Sequence, residues 1–174
     1  MTKPQSTALP IAYVVLRILI VLNWFFGACI LALLTYTLIN EPWMVKALGM
    51  SGFTPERWVM MAMRGIAALG LVAILFNNEL LKRLLAIVDT VRRGDPFVAD
   101  NAYRLNAIAW LLLALQLLSL VIAGIGKAIA SHGNPFHVDA GFSVAGWLAV
   151  ILTFVLARVF EEGALMREDL EGTV

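Results

Sequence analysis

Four long apolar runs constrain this chain more than any other feature. Residues 18–39, 105–126 and 140–157 carry no charge, and 58–76 carries only Arg64. Each run approaches the roughly 20 residues an α-helix needs to cross the hydrocarbon layer. Of the 174 residues, 61% are hydrophobic and the mean hydropathy is +0.86. A soluble domain of that composition would lack the polar side chains to cover its surface. The expected fold is therefore all-α, an integral membrane four-helix transmembrane bundle with spans at about 11–39, 57–77, 104–127 and 140–160. The apolar stretch at 11–39 is too long for the hydrophobic region of a secretory signal, so it reads as an uncleaved first span.

Composition also removes classes of function. Charged residues make up 14% of the chain and lie between the apolar runs, which leaves no room for a separate soluble domain. A net charge of +1 supplies no basic field for nucleic acid, so direct nucleic-acid binding is not expected. The one cysteine, Cys29, lies inside the first run, which excludes an intramolecular disulfide and a thiolate metal cluster.

Orientation follows from the cations, because Lys and Arg in short loops stay on the cytoplasmic side. Lys3, Lys82, Arg83, Arg92, Arg93, Arg104, Arg158 and Arg167 fall on one side, and Lys46, Arg57 and Lys127 on the other. Both termini and the central loop are thus expected in the cytoplasm. Helix-start chemistry at Thr54, Pro55 and Glu56 predicts the onset of the second span; Asp100 or Asn101 is the expected cap of the third, and Asp139 of the fourth. Trp43 and Trp58 near one boundary, with Tyr13 and Tyr103 near the other, suit rings seated at headgroup level. Small residues at Gly141, Ala145 and Ala149, and at Ala28 and Ala32, predict stripes where helices approach.

The most informative stretch outside the spans is 79–93, ELLKRLLAIVDTVRR. Leu80, Leu84, Ile87 and Val91 fall on one helical face, and Lys82, Arg83, Asp89, Arg92 and Arg93 on the rest. This predicts a cytoplasmic amphipathic helix between spans 2 and 3. It is either an extension of the second span or a separate helix lying in the interface, with Asn77 and Asn78 marking where a bend would fall. Gly94 reads as a left-handed helix end and Pro96 as a stop. The tail at 161–174 carries Glu161, Glu162, Glu168, Asp169 and Glu171. Opposite charge suggests that it docks on the basic helix, bringing Glu168 near Arg93.

The stretch IVDTVRRGDPFVADNAYRLNAIAWLLLALQLL, with VFEEGALMREDLEGTV after the fourth span, closely resembles the bacterial membrane-protein family known as domain of unknown function 2975. The resemblance runs from the second span onward. It rests on Gly94, Pro96, Phe97, Asn101, Ala102, Arg104 and Leu105, and on Gly163, Leu165, Asp169, Leu170, Thr173 and Val174. It implies a four-helix inner-membrane protein without an established enzymatic role. Members are often encoded near small helix-turn-helix regulators, so it also implies a cytoplasmic regulator as partner.

Candidate chemistry is sparse. Arg64 is the one charge well inside a span and could serve a function or reach outward to the interface, with Glu41, Glu56 and Asp139 as prospective partners. Arg17, at the other boundary, suits a lipid phosphate, whereas Asn23 and Gln116 suit hydrogen bonds between helices. His132, His137 and Asp139 do not have metal-site spacing. No phosphate loop, nucleophile elbow or metalloprotease motif occurs, so no catalytic residue, metal or cofactor is expected. Two functions fit. One is a membrane-anchored regulatory or sensory module presenting Lys82, Arg83, Arg92, Arg93 and Arg104, with Glu161, Glu162, Glu168 and Asp169, to a cytoplasmic partner. The other is a binder or carrier of a lipid-like molecule held between helices near Arg64. Either leaves room for homo-oligomers in the lipid bilayer.

Overall fold

A computed structural model describes residues 8–40, 43, 57–131 and 141–171. Among the described residues, four long helices follow in order: α1 (Ala8–Ile39), α2 (Arg57–Arg92), α3 (Ala99–Ala130) and α4 (Val144–Glu171). There is no strand among the described residues. All four are long and apolar enough to cross a membrane, making this a multi-pass membrane protein. At 1.5 Å per residue, the 36 residues of α2 extend about 54 Å, well beyond a hydrocarbon layer of about 30 Å. Helices of this length carry their polar ends past the acyl chains.

The helices pack as sequence neighbours: α1 on α2, α2 on α3, α3 on α4, with no other pair of described helices bringing Cα atoms within 8 Å. Direction alternates along this row, so Ala8 and Glu171 share an end, hereafter the arginine-rich end, with Arg17, Arg92, Arg104 and Arg158. Only 11% of the most apolar stretch of each helix is buried, and side chains such as Val21, Phe25 and Ile151 are more than half exposed. Without a hydrophobic drive between helices in lipid, such apolar outer faces are the expected solution.

Two cores join α2 to α3. One, away from the arginine-rich end, consists of Val59, Met63 and Ile129 with Trp58 and Ile125 packed around it. The other consists of Ile87, Leu105, Ile108 and Ala157, enclosed by Leu80, Leu84, Val91, Leu112 and Phe160. The apolar stripe of the amphipathic stretch therefore faces protein. The alternative of a separate helix with its leucines in the acyl boundary is corrected: α2 runs unbroken through Asn77 and Asn78. Asn77 Nδ2 donates to Asn23 Oδ1 at 2.9 Å, and Asn23 Nδ2 donates to the Ile74 carbonyl at 3.0 Å. Asn77, one of the two asparagines expected to mark a bend, instead ties α2 to α1, its amide donating to a polar partner in an otherwise apolar setting.

The small-residue stripes are also corrected in part. Ala28, Ala32 and Ala145 are exposed, whereas Gly141, ahead of α4 with φ at +146°, does meet Ser119 and Ala123 of α3, and Ala149 is half-buried. Close approach occurs instead at Gly27, where a Cβ would lie 2.9 Å from Ile74 Cγ2, and at Gly146, which lies against the Gln116 amide. Thr54, Pro55, Glu56 and Asp139, the expected caps of the second and fourth helices, lie outside the described residues.

Candidate functional site

The densest polar arrangement lies where α2 hands over to α3. The Gly94 amide donates to the Val91 carbonyl at 3.1 Å and the Asp95 amide reaches back to the Thr90 carbonyl at 3.2 Å, the paired bonds of a Schellman ending. Gly94 takes φ of +89°, which a side chain would oppose, and Pro96 forbids continuation of the helix. The chain is thereby turned so that α3 starts at Ala99, antiparallel to α2 and beside it.

Asn101 secures this turn. It is fully buried, and its Nδ2 donates to Thr90 Oγ1 at 2.7 Å and to the Pro96 carbonyl at 2.9 Å. Its Oδ1 accepts from Arg104 Nη1 at 2.9 Å, and Arg104 Nη2 also donates to Asp100 at 3.2 Å. Thr90 in turn donates to the Ile87 carbonyl at 2.7 Å. One carboxamide thus joins α2, the connection and α3, with both its donors and its acceptor satisfied. Asn101 is not the cap of α3 that the sequence suggested. The N-cap position is held by Val98, which makes no side-chain cap, and Asp100 complements the helix dipole from the first turn.

The connection then seats α4. The Phe97 ring packs on Phe160 with centroids 5.2 Å apart, and on Gly163, where a Cβ would lie 2.9 Å from Phe97 Cδ1. Beyond this contact Arg167 pairs with Asp95. The motif residues Gly94, Pro96, Phe97, Asn101, Arg104 and Gly163, distant in sequence, thus form one clasp at the arginine-rich end. Beside it, α3 and α4 border a groove of about 570 Å³. Ala102, Ala157 and Ala164 line it as small residues, and Tyr103, Glu161 and Glu168 add polar groups. A shallower hollow of about 370 Å³ lies on the other side of Tyr103, bordered by Glu79, Arg83 and Trp110.

The charged residues singled out in the sequence are largely neutralised within their own helices. Arg83 pairs with Glu79 at 2.9 Å, Arg93 with Asp89, and Arg104 with Asp100. Arg158 pairs with both Glu161 at 3.0 Å and Glu162 at 3.2 Å. Lys82 and Asp169 are exposed, Glu168 borders the groove, and Arg92 lies over the Tyr13 ring at 4.6 Å. Besides the docking of acidic residues on a basic helix that the sequence suggested, Arg167 of the tail makes a contact of opposite polarity, pairing with Asp95 of the connection. Arg64 Nη2 donates to the Thr37 carbonyl at 2.9 Å, at the end of α1 where helix carbonyls lack intrahelical donors. Its prospective partners Glu41, Glu56 and Asp139, and the histidines His132 and His137, lie outside the described residues. No group of three metal-ligating side chains occurs among the described residues.

Sequence reasoning missed Thr90 and Asp95 and misread the role of Asn101. A signal for Asn101 was present: it occupies the same helical face as Leu105, Ile108 and Leu112, so a polar residue stood on a buried stripe.

The family described as Protein of unknown function (DUF2975) matches residues 10–174. That range takes in α1, which the resemblance read from the second span onward did not reach. No curated protein and no solved structure matches the chain.

Proposed function

The chain belongs to the DUF2975 family, and on that footing we propose that it is a non-enzymatic, membrane-anchored regulatory or sensory module. Its arginine-rich end faces the cytoplasm of a bacterial cell from the inner membrane, as the distribution of Lys and Arg between the loops supports. The partner is a cytoplasmic protein, with a small helix-turn-helix regulator the class the family resemblance suggests.

The observation that carries this reading is the groove between α3 and α4 beside the clasp. Small side chains on its wall let another polypeptide approach the backbone closely, and Glu161 and Glu168 provide polar anchors at its rim. Leu165, 57% exposed on the groove wall, is an apolar contact point on a helix end carrying many charges. Because the groove borders the clasp, a change in the spacing of α3 and α4 within the bilayer alters its width, which couples membrane state to the surface offered. The carrier reading has less behind it, since Arg64 is engaged by the end of α1.

The test is a photo-crosslinking residue at Leu165, compared with one at lipid-facing Leu148, in membranes of cells expressing the full chain. The expected result is a discrete adduct with a soluble protein from Leu165 only, lost when the crosslinker at Leu165 is combined with Glu168→Arg in a variant that still folds. Equal capture from both positions, or capture of lipid alone, would defeat the proposal.

A further inference from the structure

Five of the described arginines at the arginine-rich end have a carboxylate partner: Arg83, Arg93, Arg104, Arg158 and Arg167. Arg17 and Arg92 do not; both converge on the same aromatic ring. The Arg17 guanidinium carbon lies 4.7 Å from the Tyr13 centroid and that of Arg92 4.6 Å, and Arg17 also donates to the Tyr13 hydroxyl. Tyr13 and Arg17 come from α1 and Arg92 from the last turn of α2, so antiparallel packing brings the two cations together. Ring stacking orients the guanidiniums without neutralising them.

The surroundings identify what balances this charge. Arg17 is exposed at the edge of the apolar part of α1, and its helical face continues away from the charged end as Val21, Trp24 and Phe25. These are 69%, 52% and 60% exposed, so the surface next to the two cations is a lipid-facing apolar strip. A small soluble anion could use the guanidiniums and would leave that strip idle. A phospholipid uses both: its phosphate accepts from Arg17 and Arg92, and its acyl chains lie along Val21 and Phe25.

We propose that Tyr13, Arg17 and Arg92 form a binding site for the phosphate group of an anionic phospholipid in the leaflet at the arginine-rich end. Two uncompensated guanidiniums favour a lipid of net negative charge over a zwitterionic one, whose own ammonium opposes them. Arg83, already paired with Glu79, takes no part. The site is separate from the groove between α3 and α4 and does not depend on a protein partner binding there.

The experiment uses the full chain, purified and delipidated in dodecyl maltoside, with defined phosphatidylglycerol, phosphatidylcholine or inorganic phosphate added. Bound lipid is counted by native mass spectrometry. The expected result is retention of phosphatidylglycerol in preference to phosphatidylcholine. Arg17→Gln or Arg92→Gln should weaken retention by about tenfold each, the order expected for one lost charge-assisted contact, while Arg83→Gln leaves it unchanged. Both positions are exposed, so the single variants should keep the parent's melting temperature without lipid; if one does not, the other decides. Equal retention by a folded Arg17→Gln or Arg92→Gln variant would overturn the site. Equal retention of the two lipids would overturn the anionic preference, and displacement of phosphatidylglycerol by an equimolar amount of inorganic phosphate would show a free-anion site instead.

Discussion

Replacing Asn101 by alanine should destabilise the arginine-rich end by about 2–4 kcal/mol, assembled from the bonds its side chain makes. Two donated bonds are lost, to Thr90 Oγ1 at 2.7 Å and to the Pro96 carbonyl at 2.9 Å. Each contributes about 1 kcal/mol net, and the carbonyl left without a donor in a buried site adds a further desolvation cost of about 1 kcal/mol or more. The small void left by the carboxamide raises the total slightly, since the surrounding helices relax only in part. Thr90→Val removes one of these bonds and should cost about 1 kcal/mol on its own. That bond is shared, so the double variant should be more stable than the sum of the two singles implies by about 1 kcal/mol. Reversible unfolding in mixed micelles with increasing SDS, followed by tryptophan emission, measures all four proteins; Trp110, edge-on to Phe154 across α3 and α4, reports on this end. A cost for Asn101→Ala below about 0.5 kcal/mol, or strict additivity with Thr90→Val, would refute the role of Asn101 as the joint of the clasp.

Gly163→Val should displace the Phe97 ring and cost about 1–3 kcal/mol, the usual range for overpacking; a lowered melting temperature would register it. Asn23→Leu removes both amide contacts with α2 and should lower stability by about 0.6–1.7 kcal/mol, the span measured for polar contacts between membrane helices, read as a shift in the SDS midpoint. Arg64→Leu takes the donor from the Thr37 carbonyl at a cost of about 1 kcal/mol and should raise hydrogen exchange over the last turn of α1 while leaving α3 unchanged. In a Cys29→Ser background, an impermeant maleimide added to intact cells should label a cysteine at Ser131 and spare one at Lys82; the reverse pattern would place the arginine-rich end outside.

Membrane class and helix number were legible in the sequence because solvent preference is a property of each run by itself. Stretches such as 105–126 are apolar throughout, and no packing partner is needed to place them in lipid. Gly94 was legible for a similar reason: a residue free of a Cβ just ahead of Pro96 reports a backbone requirement that is local. The clasp was legible only as a set of residues, without its geometry. Arg93, Arg104 and Glu161 were legible as charged candidates, but not the ion pairs they make within their own helices, three or four residues away.

What the sequence alone determined is therefore the solvent of each segment, the number of apolar spans and the stop at Gly94 and Pro96, whereas the unbroken run of α2 to Arg92 and of α4 to Glu171 emerged only from the structure. Tertiary structure decided which polar side chains meet: Asn101 with Thr90 and Pro96, Asn23 with Asn77, Arg167 with Asp95, and Arg17 with Arg92 on Tyr13. The physical reason is that apolar transfer depends on one side chain and its surroundings, whereas a hydrogen bond or an ion pair depends on the distance and angle between two. Those distances exist only once the antiparallel register of the four helices has been set.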